Sequence, residues 1–334
     1  MRISKSERLR IFVTGATGAY GAHFAAHCLA QGHEVYAIEH HPKPNDSASL
    51  LGIKDKITWV QGDVRNGQLL AGCLADWDIQ AVAHFAALPL VRTSVVVAEP
   101  VFSTNVMGTV ALLDAVKQVS VGGKKIHFLH VSTDKVYGNA GDVPYTEDTP
   151  LNGSSVYEAS KVAAEAACRA YQAQGHVPNL VMSRSCNVVA TTDTNFRLIP
   201  NTIRQFMCNV PAKVFTSAQY VREYIHVRDS VEALYELMMR ADEYAGQAFN
   251  VGSGYQWTQE EAIEHIKKAH FPEGNIIRID PPAYHKIEIS YQRLNCAKIE
   301  RALGWKPRRT LEATIAELVG WWKEHRELAP WSIL

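Results

Sequence analysis

Three glycines set three residues apart, Gly15, Gly18 and Gly21, follow directly on an apolar run from Leu9 to Thr14. A helical stretch from about Ala22 to Gln31 comes next. A strand, a tight glycine turn and a helix in that order leave few folds open. The glycines let the chain turn sharply, let another group approach the backbone, and allow close helix–strand packing. The helix N-terminus beyond them presents unpaired N–H groups and the positive end of a dipole, which suits a phosphate. The spacing is one position off the dinucleotide fingerprint Gly-x-Gly-x-x-Gly. Thr17 and Tyr20, within the same turn, complete this group of candidate cofactor contacts.

A second strand, Glu34 to Ile38, ends at Glu39. A carboxylate roughly 20 residues past the glycines can accept hydrogen bonds from the adenosine ribose hydroxyls, and it would repel a 2′-phosphate. This favours NAD over NADP, although His40, His41 and Lys43 lie close by. Further strands are expected at Ile57–Val60, Ala81–Phe85, Ile126–Val131 and Asn179–Arg184, with helices at Gly67–Trp77 and Glu99–Val119 between them. Strands alternating with helices predict an α/β fold, a doubly wound parallel sheet of the Rossmann type.

The 334 residues are enough for about two domains. Lys+Arg and Asp+Glu each total 34, so there is no basic field for nucleic acid. Six scattered cysteines without a Cys-x-x-Cys pair predict neither a metal site nor a redox motif. No apolar signal core follows the basic N-terminus, and no apolar stretch is long enough to span a bilayer. The expectation is a cytoplasmic protein with reduced thiols.

The chemistry concentrates between Ser132 and Lys161. Ser132-Thr133-Asp134-Lys135 follows the buried strand at Ile126–Val131, at the sheet edge where ligands bind in open α/β folds. Tyr157 and Lys161 are four apart and share a face of a helix expected from Ser155 to about Gln174. Ser155-Val-Tyr-Glu158 has the form of a capping box at its start. A neighbouring ammonium lowers the pKa of a phenol, which then takes a proton from a sugar hydroxyl more readily.

Tyr-x-x-x-Lys, the upstream Ser/Thr and the N-terminal glycine turn together resemble the short-chain dehydrogenase/reductase superfamily. The chain length and the Ser-Thr-Asp-Lys segment resemble its extended branch, the NAD-dependent nucleotide-sugar epimerases and dehydratases. Ala86 to Val119 resembles CDP-glucose 4,6-dehydratases in particular. The resemblance implies NAD contacts from Asp63, Val64, Ala86, Ala87, Asn105 and Ser132, besides Tyr157 and Lys161. It implies substrate contacts from Ser94, Thr133, Asn187, Leu198, Arg222 and Arg293. It also implies a cofactor domain of residues 1–185 with about 224–250, and an interleaved α/β substrate domain of 186–223 and 251–334. A homodimer packed through the alanine-rich helix is a further implication. His84 is expected as a packed strand residue, and Asp63 as a possible helix N-cap.

Thr133-Asp134-Lys135 favours 4,6-dehydration of a nucleotide hexose over 4-epimerisation, the alternative reading. A third alternative is a cofactor sensor without catalysis. In the implied cycle Tyr157 takes the C4 hydroxyl proton, Lys135 the C5 proton, and Asp134 protonates the departing C6 hydroxyl. Asp134 would need a raised pKa for that task. Val188 to Asp193 and Arg222-Glu-Tyr-Ile-His226 depart from the CDP-glucose pattern where substrate is held.

Overall fold

The computed structural model describes residues 7–89, 97–195, 197–216, 220–280 and 289–329. Ser94 lies outside them. Twelve strands are described: β1 (Arg10–Thr14), β2 (Glu34–Glu39), β3 (Ile57–Gln61), β4 (Ala81–His84), β5 (His127–Thr133), β6 (Leu180–Ser185), β7 (Asn187–Val189), β8 (Ala212–Phe215), β9 (Val221–His226), β10 (Ala248–Val251), β11 (Gln256–Thr258) and β12 (Ile276–Ile279).

Seven of them form one parallel sheet in the order β10-β6-β5-β4-β1-β2-β3. Both faces are covered, so the strands carry apolar residues on both sides. Ile11 and Val13 of β1 enter one core with Phe24 and Leu234, while Phe12 between them enters the other with Leu112 and Val116. Leu129 and Phe128 of β5 divide in the same way. β9 pairs with β7 and β11 in a three-stranded sheet, and β8 pairs with β12. A third core, with Ile203, Val214, Ile315 and Trp322, packs these smaller sheets under the Leu198–Met207, Gln259–His270 and Leu311–Glu324 helices.

The strand order reverses between β1 and β4, which opens a crevice at their carboxyl ends. The first helix runs Ala19–Ala30, earlier than its apolar pattern predicts, because Gly18 already serves as N-cap. The helix expected at Glu99–Val119 is interrupted. Ala98–Phe102 and Gly108–Val119 are joined by a π-helical turn over Ser103–Met107. Helix Val156–Ala173 has its capping box: Ser155 Oγ accepts from Glu158 N (3.2 Å) and Glu158 Oε2 from Ser155 N (3.0 Å). Among the described residues, no helix is long and apolar enough to cross a membrane.

Candidate active site

The crevice holds a cavity of about 660 Å³ running from the glycine turn, past β4 and β5, to the β6–β7 junction. Of the residues singled out in the sequence, Gly15, Thr17, Gly18, Tyr20, Gly21, Asp63, Val64, Ala86, Ala87, Ser132, Thr133, Tyr157 and Lys161 lie on its wall. The glycine turn is as tight as its spacing predicts. A Cβ on Gly15 would sit 2.8 Å from Ala86 N, and one on Gly21 would sit 2.3 Å from Gly15 O. Gly18 gives the first turn of the Ala19–Ala30 helix no side-chain cap, so its N–H groups are left for a ligand. Ser132 Oγ is buried on the wall without a partner among the described residues. These features fit a dinucleotide, with the pyrophosphate at the helix N-terminus.

Asp63 faces the cavity with its carboxylate bound by Arg65 (Nη2 at 2.6 Å) and near His40 (3.3 Å). Hydrogen bonds from Arg65 hold its pKa down to about 2. It does not cap the Gly67–Asp76 helix; Asn66 does. Glu39 is not on the wall. Its carboxylate pairs with Lys54, which also binds Asp46 (2.8 Å), so it is taken up by the loop that follows β2. His40, His41 and Arg65 line the cavity instead.

Asn105 is also displaced from its expected role. It is buried on the π-helical turn, where its amide accepts from Leu88 N (2.8 Å) and donates to Ser160 Oγ (2.9 Å). It braces the β4 loop against the Tyr157 helix rather than lining the cavity. His84 is structural, as expected. Its ring nitrogens lie 2.8 Å from Thr14 Oγ1 and 2.9 Å from Thr109 Oγ1.

Tyr157 and Lys161 share one helix face, and Lys161 Nζ donates to Val131 O (2.8 Å). The expected depression of the phenol is absent. Burial pushes Tyr157 up to about 12, with the Arg197 guanidinium opposing it. Burial also pulls Lys161 down to about 8. The sequence spacing shows the shared face but not this depth.

Thr133 is the last residue of β5, and its hydroxyl accepts from Lys135 N (3.3 Å), capping the short turn Asp134–Tyr137. Gly138 closes that turn at φ +65°. Asp134 and Lys135 therefore lie beyond the wall, not on it. Asp134 is 1% exposed, and Oδ2 has no partner among the described residues. Burial raises its pKa, against opposing charge from Lys135, a hydrogen bond from Thr133 and charge from Arg222. Lys135 Nζ donates to Gln292 Oε1 (3.1 Å).

The remaining substrate candidates stand off the cavity wall. Asn187 Nδ2 donates to Glu223 O (3.1 Å), joining β7 to β9. Leu198 begins a helix whose preceding residue, Arg197, reaches the wall instead and pairs with Asp193 (3.3 Å). Arg222 stacks over Tyr220 and Arg293 over Tyr291, and both guanidinium groups lie near Tyr145. Arg197 was missed in the sequence. The signal was its charge, since a cation at a helix N-terminus opposes the dipole unless something else holds it there.

The sequence profile of a family described as GDP-mannose 4,6 dehydratase matches residues 12–318. A dTDP-glucose 4,6-dehydratase of Actinoplanes sp. is 30% identical over 95% of this chain and 99% of its own. A CDP-glucose 4,6-dehydratase of Salmonella typhimurium is 30% identical over 94% of this chain and 90% of its own. The crystal structure of DesIV, a dTDP-glucose 4,6-dehydratase from Streptomyces venezuelae with NAD bound, superposes with a TM-score of 0.86. It is 27% identical and covers 96% of this chain and 98% of its own.

Proposed function

The chain belongs to the GDP-mannose 4,6-dehydratase family, and from that premise we propose that it is an NAD-dependent nucleotide-sugar 4,6-dehydratase. It converts a nucleotide hexose of the CDP-glucose type to the 4-keto-6-deoxy sugar. The observation that carries this reading is Asp134, a buried carboxyl with a raised pKa one residue past Thr133. An epimerase returns hydride to the carbon it came from and has no hydroxyl to expel, so it needs no such acid.

The glycine turn, Asp63, Ser132 and Lys161 would hold NAD, which would supply reversible hydride acceptance when bound. Tyr157 accepts the C4 hydroxyl proton. The ketone acidifies the C5 proton, which Lys135 removes while Gln292 holds its Nζ. Asp134 protonates the departing C6 hydroxyl. Arg222 and Arg293 answer the diphosphate, since guanidinium donors match it in pairs. Purified protein incubated with CDP-, dTDP-, UDP- and GDP-hexoses is expected to yield one product lighter by one water, without net NADH. An unchanged mass with altered stereochemistry would replace the dehydratase by the epimerase.

A second copy packing on the Val156–Ala173 helix belongs to the same proposal. Ala166 and Ala170 are exposed there, as are Phe102 (39%) and Met107 (54%) on the helical segment from Ala98 to Val119. Sedimentation is expected to give a dimer; monomer alone at working concentration would sink this part.

A further inference from the structure

Lys135 Nζ donates to the side-chain oxygen of Gln292, a residue far along the chain and 0% exposed. The backbone around Gln292 is tied down on both sides. On one side Gln292 N donates to Val221 O (3.1 Å) and Val221 N to Ser290 O (2.9 Å). On the other, Tyr145 N donates to Arg293 O (2.9 Å) and Asn295 N to Tyr145 O (2.8 Å). The buried Glu223 carboxylate adds a third tie, accepting from Leu294 N (2.7 Å) and Ser253 N (2.7 Å). The amide is therefore presented to Lys135 from a fixed place.

Its orientation is fixed as well. An ammonium can only donate, so the amide must turn its oxygen to Nζ. Gln292 Nε2 is then left buried, with no partner among the described residues. A buried unpaired donor is costly, and an apolar side chain of similar size would avoid the cost. The position carries that cost for its oxygen. A carboxylate there would anchor Nζ too, but it would hold the ammonium, and a base must shed its proton before it can take another.

Resting on the dehydratase reading, we propose that Gln292 is the positioning residue of the C5 base: a neutral acceptor that orients the Lys135 amine without holding its proton. The neutral amine has two N–H bonds and one lone pair. One N–H goes to Gln292 Oε1, which restricts where the lone pair points. The lone pair takes the C5 proton, the electrons of the C5–H bond pass into the enolate of the C4 ketone, and the amine becomes an ammonium. It gives the proton back to C5 when C6 is reduced, so Lys135 ends each turnover as it began.

The other charged or titratable groups gathered about Asp134 and Lys135 are Arg222 and Glu223 of β9, Arg293, Tyr145 and Tyr157. Burial raises Glu223 to about 7, so it titrates in the working range. Its titration is common to the parent and to variants at Gln292, and it drops out of their comparison.

The test uses full-length enzyme with NAD and whichever nucleotide hexose the parent dehydrates. Reduced nicotinamide reports C4 oxidation, and entry of solvent deuterium at C5 reports the base. In Gln292→Glu, C4 oxidation is expected to persist while deuterium entry and water loss fall by about 10- to 100-fold at neutral pH. The rising limb of its pH profile for water loss is expected to move up by about one unit or more, as a carboxylate beside an amine requires. Gln292→Leu is expected to slow the same two steps, with KM little changed and the limb in place. In a Lys135→Ala background Gln292→Leu is expected to cost nothing further, because it acts through Lys135. An unmoved limb in Gln292→Glu, or further slowing by Gln292→Leu in that background, would overturn the assignment while leaving the dehydratase standing. A parent that removes water from no nucleotide hexose would overturn both.

Discussion

Replacing Arg184 by Met lowers the unfolding free energy by about 3–5 kcal/mol, the range for removing one partner of a buried ion pair. Arg184 on β6 is 1% exposed and Glu165 on the Tyr157 helix is 0% exposed. Arg184 Nε lies 3.1 Å from Glu165 Oε1 and Nη2 lies 2.8 Å from Oε2. The same guanidinium donates to Tyr137 OH (2.9 Å) and Glu147 O (3.1 Å), and Tyr137 OH donates to Asn250 Oδ1 (2.6 Å). Loss of Arg184 leaves Glu165 buried with only half-exposed Arg169 (3.2 Å) beside it. The denaturant midpoint checks this. Glu165→Leu combined with Arg184→Met is expected to recover much of the loss, because desolvation of both charges is then relieved together. A single variant within about 1 kcal/mol of the parent would show that the pair contributes no more than an exposed one.

Lys161→Met is expected to have opposite effects on activity and stability. Turnover falls by about 100-fold or more, as expected for loss of a cation that lines the cavity beside the general base. The fold without cofactor becomes more stable at neutral pH. Burial holds the Lys161 ammonium at about 8 in the folded chain, against 10.5 for an unperturbed lysine. That gap corresponds to about 3 kcal/mol of penalty at neutral pH, with each pH unit worth about 1.4 kcal/mol. Orphaning Val131 O returns roughly 1–2 kcal/mol of it. The net gain is therefore about 1–2 kcal/mol at pH 7. Between pH 8 and 10.5 the unfolded chain still binds the proton that the folded chain has lost, so the parent's stability rises with pH there. The advantage of Lys161→Met is then expected to be largest below pH 8, to vanish between about pH 9 and 10, and to become a deficit by pH 10.5, where only the cost of the orphaned Val131 O remains. Denaturant midpoints at pH 7 and pH 10 measure it. Equal gaps at the two values would show that the penalty is not one of ionisation.

Much of the site was legible because local rules and global fold agree there. Gly15 to Gly21, the Ser155–Glu158 capping box and the Tyr157–Lys161 pair each need only neighbours within a few residues to form. The misplaced residues depend on partners far along the chain or on depth. Glu39 looked like a ribose ligand because it ends β2, but Lys54 claims its carboxylate. Asn105 sits on a π-helical turn that a 3.6-residue period does not reveal, and its partners are Leu88 and Ser160. Lys161 was expected to lower Tyr157, and spacing was right about proximity. The charge that opposes burial of the phenol comes from Arg197 instead, burial prevails, and burial depends on every element packed around the cavity. Arg197 and the histidines at 40 and 41 reach the cavity from chain entries that read as ordinary loop and helix start.

The parallel sheet is closed at one end by β10, residues Ala248–Val251, which pairs with β6 at Leu180–Ser185. On the ribosome these two partners are made at different times. At about 5–20 residues per second, the intervening stretch takes several seconds to synthesise. Throughout that interval β6 is an open edge, with unpaired N–H and C=O groups, and Tyr137 and Glu147 beside it still await Asn250 of β10. The nascent chain therefore carries its aggregation hazard on the strand next to its catalytic segment. That hazard ends only when three quarters of the protein has been made.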